Sequence, residues 1–479
     1  MSAGAQSEGR RIAVNSALLG AGDAVAMALG FFTTLLVTDR LGADYGTFLG
    51  AQKFVALFLV FANFGLTPLM VRSIAASPDK AGPLFGTVFA MRLGLCAIFA
   101  GLVGAGSLVS NYLPEHRPVL LAFVVLNVFG VLATTLTALF EGLERMGRSA
   151  LVNLIRALST LVAVVAVVAS SGDLYSIVGA YVGASLLQLV AASLMIRGLP
   201  QFPKPSIEFD RVKPLLYQAL PFVAIGFAFA AVRSFDVILL GWLAEKEDAS
   251  QYGAAINFVD VMLIVPMLVQ RALLPAFSRL DAAGNAGAVT RDSLQVFSAL
   301  LVPSAVGLCL LAESVVALYP SGEFAEAAPV LRVLGVSLIF LGPSSVCATY
   351  LTGVGRLSHI LWAYALVLPL EVVACVLLIP VAGAVGAAVA ALVAHASLAL
   401  ILLARVQLIG APVPWLAMGK HLLAATVMGV AVFVLRSVAL PVPVAVGVVT
   451  YFIVLLMISD RESPERRMLA SLGERIGWR

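Results

Sequence analysis

The sequence predicts an all-α polytopic membrane protein of about fourteen transmembrane helices, and three observations carry that reading. The 479 residues are 61% hydrophobic and only 12% charged, where an ordinary soluble domain carries roughly 25% charged residues; no soluble fold could cover so much apolar surface. The apolar runs are continuous and about 20 residues long, the length that crosses a hydrocarbon core, and do not alternate as barrel strands do. Gly and Pro are frequent inside those runs, which spanning helices tolerate.

The spans fall in order, separated by charged or Pro/Gly-rich turns. The first begins after Arg10 and Arg11 and runs to Thr38, longer than the core of a cleaved signal, so it reads as an uncleaved span. The series is then roughly 12 to 38, 47 to 70, 84 to 110, 118 to 140, 149 to 170, 174 to 197, 213 to 242, 252 to 274, 292 to 318, 328 to 352, 358 to 380, 383 to 404, 420 to 438 and 441 to 459. One alternate set of connections holds most of the cations, from Arg10, Arg11, Arg72 and Lys80 through Arg145, Arg148, Arg211 and Lys213 to Arg405, Lys420, Arg466 and Arg467. The other set holds Arg40, Lys53, Arg117, Lys246 and Arg436 beside Glu245, Glu247, Asp248, Glu323 and Glu326. Positive-inside logic puts the first set, with both termini, in the cytoplasm.

An internal repeat organises the spans. DYGTFLGAQKFVALFLV from Asp44 is echoed by QYGAAINFVDVMLIV from Gln251, and GAYVGASLLQLVAASLMIR from Gly179 by GAAVAALVAHASLALILLAR from Gly386, both at an offset of 207. The turn FEGLERMGRS from Phe140 pairs with LTGVGRLS from Leu351 at nearly the same offset. Six spans, an even number, separate the copies, so they enter the membrane from one side as parallel repeats about a pseudo-two-fold along the membrane normal. The expected division is a six-helix lobe over 1–200, a second over 201–405, and a helix pair with a cytoplasmic tail over 406–479. A transport path between two such lobes is the expectation; a duplicated membrane protein without a transport role is the plainer alternative.

Enzymatic signatures are not found: there is no GxxxxGKS/T phosphate loop, GxSxG elbow, HExxH or Cys/His cluster. Cys96, Cys309, Cys347 and Cys375 each lie in an apolar segment without CxxC spacing and read as packing residues. The net charge of +4 is spread over turns and forms no basic patch, so nucleic acid is not an expected partner.

Ionisable residues inside spans carry the functional signal, because each costs about 2.5 to 3.5 kcal/mol at a helix centre. These are Asp23, Arg92, Arg156, Arg233, Asp236, Asp260, Glu371 and His395. Asp23 lies about 18 Å of helix rise beyond Arg11, and Glu371 about 22 Å beyond Arg356, too deep for snorkelling. Such groups are paired or face a water-filled cavity. Arg233 and Asp236, three apart on one expected helix, could pair with each other, or Arg233 could meet a diphosphate by bidentate hydrogen bonds. Arg92 and Arg156 sit about 12 Å in from the cytoplasmic side and suit capture of an anionic headgroup, or pair with helix ends. Asp260, Asp23 and Glu371 could take a proton or Na⁺, accept hydrogen bonds from sugar hydroxyls, or neutralise those arginines. His395 reads more readily as a packing residue than as a proton carrier. Pro221, Pro266, Pro303, Pro343 and Pro369 mark kinks within spans.

The stretches DRLGADYGTF from Asp39, FGLTPLMVRSIA from Phe64, LFEGLERMGR from Leu139, RSFDVILLGWL from Arg233, QYGAAINF from Gln251, LLPAFSRL from Leu273 and the long segment LVPSAVGLCLLAESVVALYPSGEFAEAAPVLRVLG from Leu301 resemble one family. It is the oligosaccharide flippase (polysaccharide transporter, Wzx-type) branch of the multidrug, oligosaccharidyl-lipid and polysaccharide exporter superfamily. The resemblance implies twelve to fourteen spans in two parallel lobes of a bacterial inner-membrane protein. It implies, as activity, transfer of polyprenyl-diphosphate-linked repeat units to the outer leaflet by alternating access. Arg92, Arg156, Arg233, Asp236 and Asp260 are then the expected substrate contacts, with Asp23, Glu371 and His395 the expected coupling groups for H⁺ or Na⁺ and no other cofactor. The implied partners are the lipid-linked glycan, membrane lipid, a polysaccharide polymerase and export machinery. Asn63 stands before Phe64-Gly65-Leu66 where many members carry Asp, which removes coupling at that position. A cation-coupled multidrug exporter and a flippase for lipid-linked peptidoglycan precursor stay open as alternatives. A membrane glycan polymerase or ligase does not, because no expected outer connection exceeds about fifteen residues, where those enzymes carry a large external loop.

Overall fold

The computed structural model describes residues 3–109, 117–197, 206–264 and 286–460 together with 266, 273, 277, 463, 464, 466 and 467, with side chains from Gly20 onward except at 21 and 109. Every regular element among them is helical. The chain divides into two compact units, Met1–Ser234 and Phe235–Arg479.

The first unit contains α1 (Ala3–Leu41), α2 (Asp44–Asn63), α3 (Leu66–Ala76), α4 (Ala81–Val109), α5 (Arg117–Gly142), α6 (Met146–Ala169), α7 (Leu174–Arg197) and α8 (Phe209–Val232). The second expected span is therefore not one helix. Phe64 (φ 45°) and Gly65 (φ 64°) both adopt the left-handed conformation and break it into α2 and α3. Gly removes the Cβ penalty at one of those positions, while Phe64 carries it. Helix packing within lipid relies on close approach of small residues, and α1 meets α6 in this way: a Cβ on Gly22 would stand 2.9 Å from that of Ala150. Likewise α8 lies against α2 through Gly226, where a Cβ would meet Val60 at 2.8 Å. Leu66, Met70, Ile74, Phe85, Val88 and Phe140 centre the apolar core shared by α3, α4 and α5.

The second unit holds α9 (Phe235–Leu243), α10 (Lys246–Met262), α11 (Ala286–Leu310), the short α12 (Ala312–Val316), α13 (Ala327–Gly353), α14 (Leu357–Leu408), α15 (Trp415–Leu435) and α16 (Pro441–Ile458). At 1.5 Å per residue α14 would be about 78 Å long, more than twice a bilayer core. Gly383 (φ 52°, ψ −129°) divides it. A Cβ on Gly386 would lie 2.2 Å from the carbonyl oxygen of Leu378, a contact between residues eight apart that a continuous helix cannot make, so the chain reverses here. The expected spans 358 to 380 and 383 to 404 are thus two arms of a hairpin. Asp248 Oδ1 accepts a hydrogen bond of 2.8 Å from the Ala384 N–H and so caps the second arm. Ala387, Ala388, Ala390, Ala391 and Ala394 on that arm are fully buried, a small-residue face against its neighbours.

Twelve helices among the described residues are long and apolar enough to cross a membrane, with α14 counted once. The hairpin gives it two crossings. The expected eighth span, 252 to 274, lies partly outside the described residues, and so does Pro266's expected kink apart from Pro266 itself, which is helical. The last pair, α15 and α16, packs on α11 through Ala299, Val302, Ala424, Ala425, Met428, Val432 and Tyr451. Two exposed ion pairs tie its ends, Lys420 to Asp460 and Arg467 to Asp292, each at 3.0 Å.

Candidate functional site

Arg156 lies ten residues into α6, about 15 Å of rise from Met146. Its side chain is exposed, with the Tyr181 hydroxyl as its electrostatic neighbour. One turn earlier on α6, Asn153 Nδ2 donates to Asp23 Oδ1 at 3.1 Å, joining α6 to α1. Asp23, Asn153 and Arg156 therefore place an acid, an amide and a guanidinium along one seam of the first unit, at the depth where lipid would tolerate none of them bare. The Tyr181 ring is held against Phe48 at 5.7 Å between centroids.

Arg92 occupies a different environment. It is fully buried and donates to the Val131 carbonyl at 3.0 Å, to Thr135 Oγ1 at 2.8 Å, to Thr134 Oγ1 at 3.3 Å and to Thr67 Oγ1. These partners come from α5 and from the first turn of α3, so Arg92 clamps the segment after the Phe64-Gly65 break onto α4 and α5. Among the described residues its Nε has no hydrogen-bond partner, and the acceptors named are neutral. Thr67, Thr134 and Thr135 escaped notice in the sequence because a Thr in a span usually bonds its own helix, as Thr134 and Thr135 also do to Val131.

The expectation that Arg233 and Asp236 share one helix is corrected. Helix α8 ends at Val232, Arg233 (φ −94°, ψ 4°) is its cap, and α9 starts at Phe235. The break lies in the middle of an apolar run, where neither Pro nor Gly marks it. Arg233 is half-buried at the end of the first unit.

Asp236 opens the second unit and is nearly inaccessible, at 2%. Its Oδ1 accepts from the Val237 N–H at 2.8 Å and its Oδ2 from the Tyr252 hydroxyl. Glu371 is its electrostatic neighbour, with Cys375 one turn further along the same arm of α14. Glu371 is fully buried, and neither carboxylate oxygen has a hydrogen-bond partner among the described residues. An ionised carboxylate so placed costs several kcal/mol, so the group suits a proton or a small cation. No group of three or more His, Cys, Asp or Glu suited to a metal ion occurs among the described residues. Tyr252 is the Tyr of the repeated Tyr-Gly opening, where the repeat was legible but the pairing with Asp236, 16 residues away, was not. Asp260, half-buried, lies near the end of α10 and its carbonyl caps that helix at Leu263. His395 is buried on the Ala-rich arm of α14. The structure thus joins Asp23 with Asn153 beside Arg156, and Asp236 with Glu371, and leaves Arg92 in a cage of its own.

A family model described as polysaccharide biosynthesis protein matches residues 12–281. The succinoglycan biosynthesis transport protein ExoT of Rhizobium meliloti (strain 1021) is 28% identical over 197 residues, 40% of each chain. An uncharacterized membrane protein of Methanocaldococcus jannaschii, MJ1068, is 25% identical over 234 residues, 45% of each. The chain thus matches less than half the length of these curated relatives. Among solved structures, the lipid II flippase MurJ in an inward closed conformation superposes with a TM-score of 0.76 at 15% identity, covering 91% of this chain and 97% of that one. An inward-facing multidrug resistance MATE family transporter of the MOP superfamily gives a TM-score of 0.62 at 12% identity, covering 80% and 94%. At such identities the likeness is one of fold.

Proposed function

The chain belongs to the polysaccharide biosynthesis protein family, and from that premise we propose that it is a flippase. It moves polyprenyl-diphosphate-linked oligosaccharide repeat units from the cytoplasmic to the outer leaflet of the bacterial inner membrane, with both termini in the cytoplasm. The observation that carries the reading is Arg156, an exposed guanidinium about 15 Å into a helix long and apolar enough to span, one turn from the Asn153–Asp23 hydrogen bond. A guanidinium at that depth complements a diphosphate by charge-assisted, bidentate hydrogen bonds. Asn153 and Asp23 beside it offer an amide and a carboxylate to sugar hydroxyls. A cation-exporting pump would place an acid where Arg156 stands. The polyprenyl tail stays in lipid while the headgroup crosses, and alternating access follows from movement of one parallel repeat against the other.

Coupling to an ion gradient resides, in this reading, at Glu371 and Asp236. Support comes from two inaccessible carboxylates in electrostatic contact, one of them without a donor. Binding a proton or Na⁺ there removes a charge from an apolar interior and changes the packing free energy of the second unit.

The test is genetic and chemical. Deleting the gene abolishes exported polysaccharide and leaves lipid-linked repeat units on the cytoplasmic leaflet; restoration by the wild-type chain completes the result. Normal export in the deletion strain overturns the proposal.

A further inference from the structure

In the first unit a groove of about 520 Å³ is lined, among the described residues, by Phe64, Phe209, Val212, Lys213, Leu216, Tyr217 and Leu220. Six of these come from α8 at spacings of three and four, which puts them on one helical face. The seventh, Phe64, is the left-handed residue at the break between α2 and α3. The face is apolar and open: Phe209 is 79% exposed, Tyr217 67% and Leu220 54%. Lys213 is the charged member, with its ammonium 5.9 Å from the centroid of the Tyr217 ring. From Phe209 to Leu220 the groove follows about 16 Å of helix rise. By the positive-inside assignment it descends from headgroup level, where Glu208, Asp210, Arg211 and Lys213 cluster, into the hydrocarbon.

Lys213, the charged residue on the wall at the mouth of an apolar groove of that length, matches an amphiphile with an anionic head and a hydrocarbon tail. We propose that this groove is the inner-leaflet loading site for the carried lipid: Lys213 receives a phosphate of a polyprenyl diphosphate, and Phe64, Leu216 and Leu220 hold the first isoprene units. The inference rests on the flippase reading and adds to it where the lipid first docks. The left-handed conformation of Phe64 is then explained as well. The backbone break that puts its side chain on the groove wall carries a left-handed conformation costing roughly 1 to 2 kcal/mol for a non-Gly residue.

The experiment uses the full chain in lipid nanodiscs of phosphatidylethanolamine, photolabelled with a benzophenone-bearing polyprenyl diphosphate and mapped by peptide mass spectrometry. Label is expected on the peptide spanning 209–220 and on Phe64. An excess of unlabelled polyprenyl diphosphate removes it, while the same excess of phosphatidylglycerol leaves it in place. Lys213→Glu lowers the labelling about tenfold, the loss of one charge-assisted contact, and Lys213→Arg keeps it. Leu216→Trp fills the groove and lowers labelling without touching the charge. Absence of label from 209–220 and Phe64, or competition by phosphatidylglycerol as strong as by the polyprenyl lipid, overturns the loading site, the second outcome identifying the groove's occupant as bulk lipid. Translocation of a fluorescent lipid-linked sugar by the wild-type chain in liposomes separates the two failures. Translocation without groove labelling refutes the site alone, and no translocation refutes the flippase reading.

Discussion

Arg156 and Arg92 are the same residue type at comparable depth, and their surroundings assign them opposite duties. Arg92, fully buried and held by three Thr hydroxyls and a carbonyl, is a brace. Arg156, with its side chain exposed, is available to a ligand. Arg156→Ala is expected to reduce polysaccharide export at least tenfold at unchanged membrane abundance, with Arg156→Lys retaining part of it, since a point charge replaces a bidentate fork. Arg92→Leu is expected to lower abundance and thermal stability instead, as it removes the buried donor that joins α4 to Thr67 on α3 and to Thr134 and Thr135 on α5. Quantitative immunoblotting beside an export assay separates the two. Glu371→Gln keeps the shape of the side chain and deletes its ability to take up charge. Transport by that variant in proteoliposomes is expected to be indifferent to an imposed H⁺ or Na⁺ gradient that accelerates the wild type. Sequence depth singled out Arg156 and Glu371 as charges within expected spans, and both fall on helices long and apolar enough to cross a membrane. It could not tell a braced arginine from an open one, because the distinction lies in Thr67, Thr134 and Thr135 on other helices.

Among the elements, hydropathy found the spans but not their interruptions. The run from Asp44 to Ala76 reads by hydropathy as one apolar stretch although Phe64 and Gly65 break it, and the run from Phe209 to Leu243 is broken at Arg233. The first had a readable cue in Asn63-Phe64-Gly65. The second had only a charged residue, which hydropathy treats as a cost and not as a joint. The reversal at Gly383 was legible as two spans meeting at 380 to 383, but not its support by Asp248. Gly383→Ala is expected to destabilise by about 1 to 3 kcal/mol, since it forces a left-handed side chain whose Cβ would lie 2.3 Å from the Asp248 carboxylate. Asp248→Ala loses a helix cap worth about 1 kcal/mol. In the double variant the clash is gone, so the combined cost is expected to be less than additive; thermal melting in detergent measures all three.

For the whole molecule, composition alone pointed to lipid as the solvent, and charge asymmetry gives an expected orientation. A cysteine-free background carrying a single cysteine at Ser321 is expected to react with an impermeant maleimide from outside, and one at Ser206 only after the cytoplasmic side is opened. The repeat placed a boundary near residue 200, whereas the compact units divide at Ser234, since α8 packs with the helices that precede it. The end of the connecting segment is fastened to the first unit too: the Glu208 N–H donates to Thr87 Oγ1 at 2.9 Å, and a Cβ on Gly86 would stand 2.6 Å from the Ser206 carbonyl oxygen.

The reversal at Gly383 bears on how the chain is made. With one non-helical residue between its arms, the hairpin leaves no loop long enough to be threaded across the bilayer after the first arm has settled. The two arms must leave the ribosome and partition into lipid as one folded unit, and Asp248, synthesised 136 residues before its partner Ala384, waits in the nascent chain for that pair to arrive.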